Sequence, residues 1–449
     1  MADGGTNSTF ADLVDDRPDE RVFRVDRSVY TDAEIFDKEI ERLFENGWVY
    51  LCHESQVKDA GCFYATEIGR QPVVVIRQKD GEIRAFINAC SHRGALLTPT
   101  KQGKAIVLTC RFHGWSYNCD GRCVRIKNEK DGYGEDDFER SQYDLTPIAR
   151  MESYRGFVFG SLVEDVPPID EYLGASKTFM DLLIDQSPEG LEVVPGSSTY
   201  VIQGNWKMQI ENAVDGYHVS TVHRVFAATV GARDDRDDAE GMRRTEGGRI
   251  KGNVPTGGYD LGHGHMLIWA THTTPEVRPI YQQKERLEKQ FPPEKVRWIL
   301  ERGRNLALFP NVMVMDNPST QIRKVKPISA DRFEVTVYCI APIGESREAR
   351  AARLRKFEDF YLTSGMATSD DLAALEDTFL GSMATRNRWN DYGRGWSTKI
   401  DGPDEDARAI GCDAVTSSSN WDYEMLFHGF WRHWRDRMGR VARHNGAES

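Results

Sequence analysis

Cys90, His92, Cys110 and His113 form two mixed pairs, Cys-x-His and Cys-x-x-His, separated by residues 93–109. These are the donors expected of a Rieske-type [2Fe–2S] centre, where two imidazoles replace two thiolates on one iron and raise the reduction potential. Structural zinc is the competing metal, but zinc sites usually pair cysteine with cysteine and histidine with histidine. In Cys90-Ser91-His92-Arg93-Gly94 and Cys110-Arg111-Phe112-His113-Gly114-Trp115 a glycine follows the ligands closely, where backbone N–H groups can approach cluster sulfurs. The chemistry expected of these loops is electron transfer.

A cluster alone only carries electrons, and residues 211–223 offer a destination for them: Glu211-Asn212-Ala213-Val214-Asp215-Gly216-Tyr217-His218-Val219-Ser220-Thr221-Val222-His223. Glu211, Asp215 and His218 stand at i, i+4 and i+7, so a continuous helix would carry them on one face. His223 would lie about 140° away around that helix, so the helix must end or distort between the two histidines if both bind one ion. Two histidines and a carboxylate on one octahedral face, with positions left for oxygen and substrate, are the ligands of non-haem Fe(II) oxygenases. The plainer reading is a core helix with two hydrogen-bonded histidines. Two acids and two imidazoles, however, need pairing or a metal to be buried.

The elements around these residues fall into two regions. The chain has 449 residues, enough for two domains with separate cores. Residues 1–47 read as a polar leader followed by one amphipathic helix, Asp32 to Asn46, packing on the catalytic domain. Residues 48–164 read as the β-rich cluster domain. In it Gln71–Gln78 and Ile83–Asn88 form a hairpin through Asp80-Gly81, the cluster loops sit on hairpin tips, and Gly156–Gly160 is the last strand. After the Asp165-Val166-Pro167-Pro168 boundary, residues 165–449 read as an α+β domain with an antiparallel sheet flanked by helices. Its strands include Asn311–Asp316 and Phe333–Ile340. Leu354, Phe357, Phe360 and Tyr361 form one helical stripe, and Phe427, Phe430, Trp431, Trp434 and Met438 another; both read as core. The charged segment Arg233–Arg249 reads as a loop.

Net charge is −12 and the sequence pI about 5.5, against a polyanionic partner such as nucleic acid. Eight cysteines show no disulfide-scaffold density, the first twenty residues lack a signal-peptide pattern, and no apolar run is long enough to span a membrane. A soluble, cytoplasmic protein is expected.

Cys90-x-His92 with Cys110-x-x-His113-Gly114-Trp115, followed by Glu211-Asn212-x-x-Asp215-x-Tyr217-His218-x₄-His223, resembles the large subunits of Rieske non-haem iron aromatic-ring-hydroxylating oxygenases. The resemblance covers nearly the whole chain and implies a helix-grip catalytic domain. It implies that His218 and His223 bind Fe(II) with the second Asp of Gly365-Met366-Ala367-Thr368-Ser369-Asp370-Asp371. On spacing alone Asp371 could equally cap a helix together with Thr368, leaving Asp370 open as the ligand. It implies that Asp215 bridges a histidine of one subunit's cluster, here His113, to an iron histidine, His218, of its neighbour. The same motifs imply supporting roles for Asn212, Tyr217 and Trp115 around the ligands.

Within the family the resemblance is strongest to the benzoate, toluate and anthranilate 1,2-dioxygenases. It is carried by Ile68-Gly69-Arg70-Gln71-Pro72, Asn88–Ala95, Gly160-Ser161-Leu162, Asp215–Ser220 and Ser364–Thr368. An aromatic acid needs a cation beside an apolar pocket, preferably arginine, whose planar fork pairs with carboxylate through two hydrogen bonds. Arg323 is the candidate, sharing a strand face with Gln321 and Val325; a solvated strand arginine is the alternative. Arg224 stands where benzoate-type enzymes tend to carry a bulky aromatic, and Asn387–Trp421 matches them poorly. The activity expected is NADH- and O₂-dependent cis-dihydroxylation of an aromatic acid. No dinucleotide-binding glycine fingerprint is present, so NADH would be oxidised by a separate flavin/iron–sulfur reductase, with or without a ferredoxin. A small (beta) subunit and a threefold hetero-oligomer are also implied. The rival readings are a Rieske monooxygenase of the salicylate-hydroxylase or demethylase type, and an electron carrier without oxygenase chemistry.

Overall fold

The computed structural model describes residues 10–134, 138–226, 228–229 and 254–440. The charged segment Arg233–Arg249 lies outside the described residues. The chain divides into two compact units, residues 40–169 and residues 1–39 with 170–449. The smaller unit includes Val49–His53, which pairs antiparallel with Phe157–Ser161. It extends past Pro168 because the indole of Trp48 donates to the Pro167 carbonyl and Arg150 donates to that of Val166. The helix read as one element from Asp32 to Asn46 is α-helical over Ala33–Glu39 and π-helical over Ile40–Glu45.

In the smaller unit the four-stranded sheet runs Ile83–Ile87, Gln71–Arg77, Cys62–Ile68, Gln102–Lys104, the first pair being the expected hairpin. Only one cluster loop is a hairpin tip. Cys110 lies between Val107–Thr109 and Ser116–Asn118, which pair antiparallel, whereas Cys90 lies on the crossing from Ile83–Ile87 to Gln102–Lys104 at the opposite edge of the sheet. The two loops nevertheless close alike. Cys90 N–H donates to the Ala95 carbonyl and Gly94 N–H to that of Cys90, while Cys110 and Gly114 repeat the pattern with Trp115. Gly94 and Gly114 have φ of 72° and 76°, a left-handed conformation that a side chain would strain.

The larger unit is built, among the described residues, on a ten-stranded sheet. Arg332–Pro342, Thr320–Ser329, Val312–Asp316, Arg302–Leu308, Met266–Thr271 and Thr256–Asp260 follow one another antiparallel. Registered partners point to the same face. Ile268, Asn305, Met315 and Gln321 therefore share one face, with Arg323 two residues further along, and Trp269, Arg304, Asp316 and Thr320 share the other. The C-terminal helix Met425–Gly439 buries Phe427, Phe430, Trp431, Trp434 and Met438, as its stripe predicts. All eight cysteines are free.

Candidate cluster loops and mononuclear metal site

Cys90 and Cys110 are buried in the core of the smaller unit beside Leu97, Leu108 and Trp115. The rings of His92 and His113 meet edge to face at 4.7 Å, and Trp115 stacks flat on His92 at 4.9 Å. Tyr117 Oη lies 3.3 Å from Cys90 Sγ and accepts the Ser91 N–H at 3.1 Å. Nδ1 of His92 is buried with no partner among the described residues, as fits a nitrogen whose partner is a metal. Two thiols and two imidazoles on matching loops, one nitrogen orphaned, suit a two-iron cluster held half by sulfur and half by nitrogen.

In the larger unit the helix Trp206–Ala213 stops at Val214, and the chain turns through Asp215 to Tyr217 before one helical turn, Val219–Val222. Gly216 permits the turn, since a Cβ there would sit 2.5 Å from the Trp421 ring. The break falls before His218, not between the histidines: His218 and His223 bracket the short turn at its two ends. It also separates the acids expected on one face. Glu211 points away into the core, where its carboxylate accepts from Tyr30 Oη at 2.9 Å, Tyr392 Oη at 2.6 Å and Trp431 Nε1 at 2.9 Å. Burial pushes its pKa up to about 7.

His218 Nε2, His223 Nε2 and Asp371 Oδ1 converge, at 3.3 Å between the nitrogens and 3.5 and 3.2 Å from each to the oxygen. Ligands bound at about 2.0–2.2 Å lie roughly 3.0–3.5 Å apart around one divalent first-row ion. Among the described residues this is the one such grouping of three or more His, Cys, Asp or Glu side chains, and Asp370 is not in it. Asp371 sits in the first turn of the helix Thr368–Ser382, where the dipole favours a carboxylate. The capping alternative does not hold. The cap is Ala367, and the Thr368 hydroxyl donates to the carbonyls of Phe360 and Tyr361. Burial would raise the Asp371 pKa, but His223 and His218 outweigh it and hold the carboxyl below its usual range.

Asp215 Oδ2 lies 3.4 Å from Nδ1 of His218, while its Oδ1 accepts the backbone N–H groups of Tyr217 and His218. Burial lowers the His218 pKa less than Asp215 and Asp371 raise it. Asn212 Nδ2 donates to Asp371 Oδ1 at 3.4 Å. Tyr217 contributes only its backbone; its ring is half exposed, stacked under the Arg394 guanidinium at 3.8 Å.

A cavity of about 470 Å³ opens on this grouping. The helices bearing His218, His223 and Asp371 line it on one side, and Ile268, Asn305, Met315 and Arg323 from one sheet face line it on the other. Arg323 is 3% exposed, so it is no solvated strand cation. Its Nε has no hydrogen-bond partner among the described residues, and its guanidinium lies 5.8 Å from the Tyr361 ring. Arg224 is exposed along the lining, and Trp421 from the poorly matching tail also contributes. Sequence reading missed Asn305 and Met315, though alternation along their strands carries the signal. It placed Phe360 in the core, but its ring packs on His223 at 5.7 Å and lines the cavity.

A pocket gripped between helices and an antiparallel sheet and lined by two histidines and a carboxylate, in a chain whose other unit carries thiol–imidazole loops, defines an oxygenase of the non-haem iron class. Residues 47–145 match the Rieske [2Fe-2S] domain and residues 191–440 the ring hydroxylating alpha subunit catalytic domain. The chain is 43% identical to the toluate 1,2-dioxygenase subunit alpha of Pseudomonas putida, covering 96% of this chain and 94% of that one. It is 44% identical to the 2-halobenzoate 1,2-dioxygenase large subunit of Burkholderia cepacia, over 93% and 90%. Naphthalene 1,2-dioxygenase with indole in its active site superposes with a TM-score of 0.80 at 25% identity, over 93% and 92%. The chain belongs to the ring-hydroxylating dioxygenase alpha subunits, whose members carry a Rieske cluster and a mononuclear iron and work with a beta subunit and a reductase. A bare carrier would have no catalytic domain, and the two sequence relatives named above are dioxygenases. No helix among the described residues is long and apolar enough to cross a membrane.

Proposed function

We propose that this alpha subunit cis-dihydroxylates a benzoate-type aromatic acid, with Arg323 gripping the substrate carboxylate. The observation that carries this is a guanidinium buried in the cavity wall with no ion-pair partner among the described residues. A buried unpaired charge is costly, and a carboxylate ligand offsets that cost through a bidentate pair. The toluate and 2-halobenzoate relatives act on ring acids of this kind.

In this reading Cys90, His92, Cys110 and His113 hold the cluster, and His218, His223 and Asp371 hold the iron. When bound, the two groups supply single electrons and a site for O₂. The two atoms of O₂, two electrons originating from NADH and two protons convert two ring carbons into a diol. Asn212 steadies Asp371, Trp115 fixes the plane of His92, and Asp215, 3.4 Å from Nδ1 of His218, orients that ring. Asp215 also accepts from His113 of a neighbouring subunit, linking cluster oxidation state to the iron ligands. A threefold assembly with small subunits, fed in the cytoplasm by a flavin/iron–sulfur reductase, with or without a ferredoxin, follows from a head-to-tail electron path.

The test is oxygen uptake and product analysis by the holoenzyme with a surrogate reductase, on benzoate, toluates and halobenzoates against their methyl esters. Ring acids should be turned over to dihydrodiols carrying both atoms of labelled O₂. Equal turnover of acids and esters would remove Arg323 from its role, and single-atom incorporation would make the enzyme a monooxygenase.

A further inference from the structure

The cavity has a second polar anchor. Asn305 lies in Arg302–Leu308, between Ile268 and Met315 on the cavity face of the sheet. Its Nδ2 donates to the Ala213 carbonyl at 2.9 Å. That carbonyl ends the helix Trp206–Ala213, where the last turn leaves carbonyls without helical partners. A carbonyl can only accept, so the orientation of the amide is settled: nitrogen toward Ala213, oxygen away from it. Oδ1 is buried and has no partner among the described residues. Its registered neighbours are an isoleucine and a methionine, neither of which can donate to it.

We infer that the cavity selects aromatic acids bearing a hydrogen-bond donor, an amino or hydroxyl group on the ring, and that Asn305 Oδ1 receives that donor. The inference rests on the reading of Arg323 as the carboxylate anchor. Asn305 and Arg323 do not serve the same group. They are two strands and two residues apart, about 12 Å between Cα atoms at ordinary sheet spacing, and side chains standing off one face keep their heads well separated. An acceptor is moreover the wrong partner for a carboxylate. A ring between the two heads would present its acid to Arg323 and a donor to Asn305, each satisfying a buried polar group. A methyl or halogen at the same ring position leaves Oδ1 unpaired, and a site with an unpaired polar group discriminates strongly against such a ligand.

The experiment compares near-isosteric acids, the ortho, meta and para aminobenzoates against the matching toluates, by kcat/KM of the reconstituted holoenzyme with product quantified. At one ring position at least, the amino acid should exceed the methyl acid by about tenfold or more, and Asn305→Ala should bring that ratio to within about threefold of unity. Asn305→Asp keeps an acceptor but loses the donation to Ala213, so it should retain the preference whatever happens to the overall rate. A purely structural Asn305 would lower amino and methyl acids alike and leave the ratio untouched. That result, or a parent enzyme favouring the methyl acid at every position, overturns the inference, and the parent ratio decides it even if Asn305→Ala does not load iron. If Arg323 is instead the error, acids and their methyl esters will be turned over equally, whereas failure of Asn305 alone leaves the preference for acids intact.

Discussion

Arg304 and Arg323 are both 3% exposed and lie on the same sheet, yet one is paired with a carboxylate and the other makes no ion pair among the described residues. Arg304 pairs with Asp316, its registered neighbour, and donates to the Trp298 carbonyl. Asp316 also takes Arg278 at 2.8 Å and the Gln186 amide at 2.9 Å. Arg323 points to the opposite face, into the cavity, where Nε is orphaned. One face of the sheet is closed by its own charges, and the other keeps charged and polar groups for something the protein binds. Burial lowers the Arg304 pKa to about 10 despite its partner. A buried guanidinium lining a cavity with no carboxylate paired to it is the mark of a ligand site.

The largest effect that would sharpen this contrast lies at the metal grouping. Asp371→Ala should remove the mononuclear iron and abolish turnover while the visible spectrum of the cluster persists, and Asp370→Ala should keep both metals. Iron analysis beside the absorption spectrum reads this out, and the reverse pattern would move the ligand to Asp370.

On the closed face, Asp316→Ala leaves Arg278 and Arg304 buried without their shared carboxylate, which should cost about 3–5 kcal/mol in urea denaturation. A loss under 1 kcal/mol would mean that the closed face does not depend on its charge pairing.

Asp215→Asn should keep both metals and lower turnover by about 10–100-fold, the usual scale for removing a partner of a metal-bound histidine. Single-turnover kinetics would show slowed cluster oxidation. Parent-like rates in that variant would reduce Asp215 to a backbone clasp for Tyr217 and His218.

The parts legible in the sequence were those whose geometry is local. Cys90 with His92 and Cys110 with His113 are each confined to one tight loop, and His218 and His223 flank one helical turn, so spacing alone brings them together. Asp371 arrives from a helix whose proximity is made only by the fold, and no periodicity announces it. Glu211 was misplaced because the i, i+4, i+7 rule assumes a helix that runs on. Gly216 and its close approach to Trp421 end that helix, and Trp421 lies in a segment no local pattern connects to residue 216. Strand alternation put Arg323 opposite Ile322 without showing which face is dry. That depends on what covers each face, and the covering helices are distant in sequence.

Arg323→Leu tests the contrast most directly because its two readouts should move in opposite senses. A hydrogen bond to a charged group is worth about 1.5–3 kcal/mol, so kcat/KM for ring acids should fall by at least about tenfold relative to their methyl esters. Stability should not fall with it. Replacing an unpaired buried guanidinium by an apolar side chain removes a desolvation cost, so the urea midpoint should hold or rise. Arg304→Leu on the other face strands Asp316 with one cation fewer and should lower that midpoint. If instead Arg323→Leu destabilises the protein as Arg304→Leu does, and acids and esters decline together, Arg323 belongs to the scaffold. The carboxylate would then need another cation along the cavity, and Arg224 is the one its lining offers first.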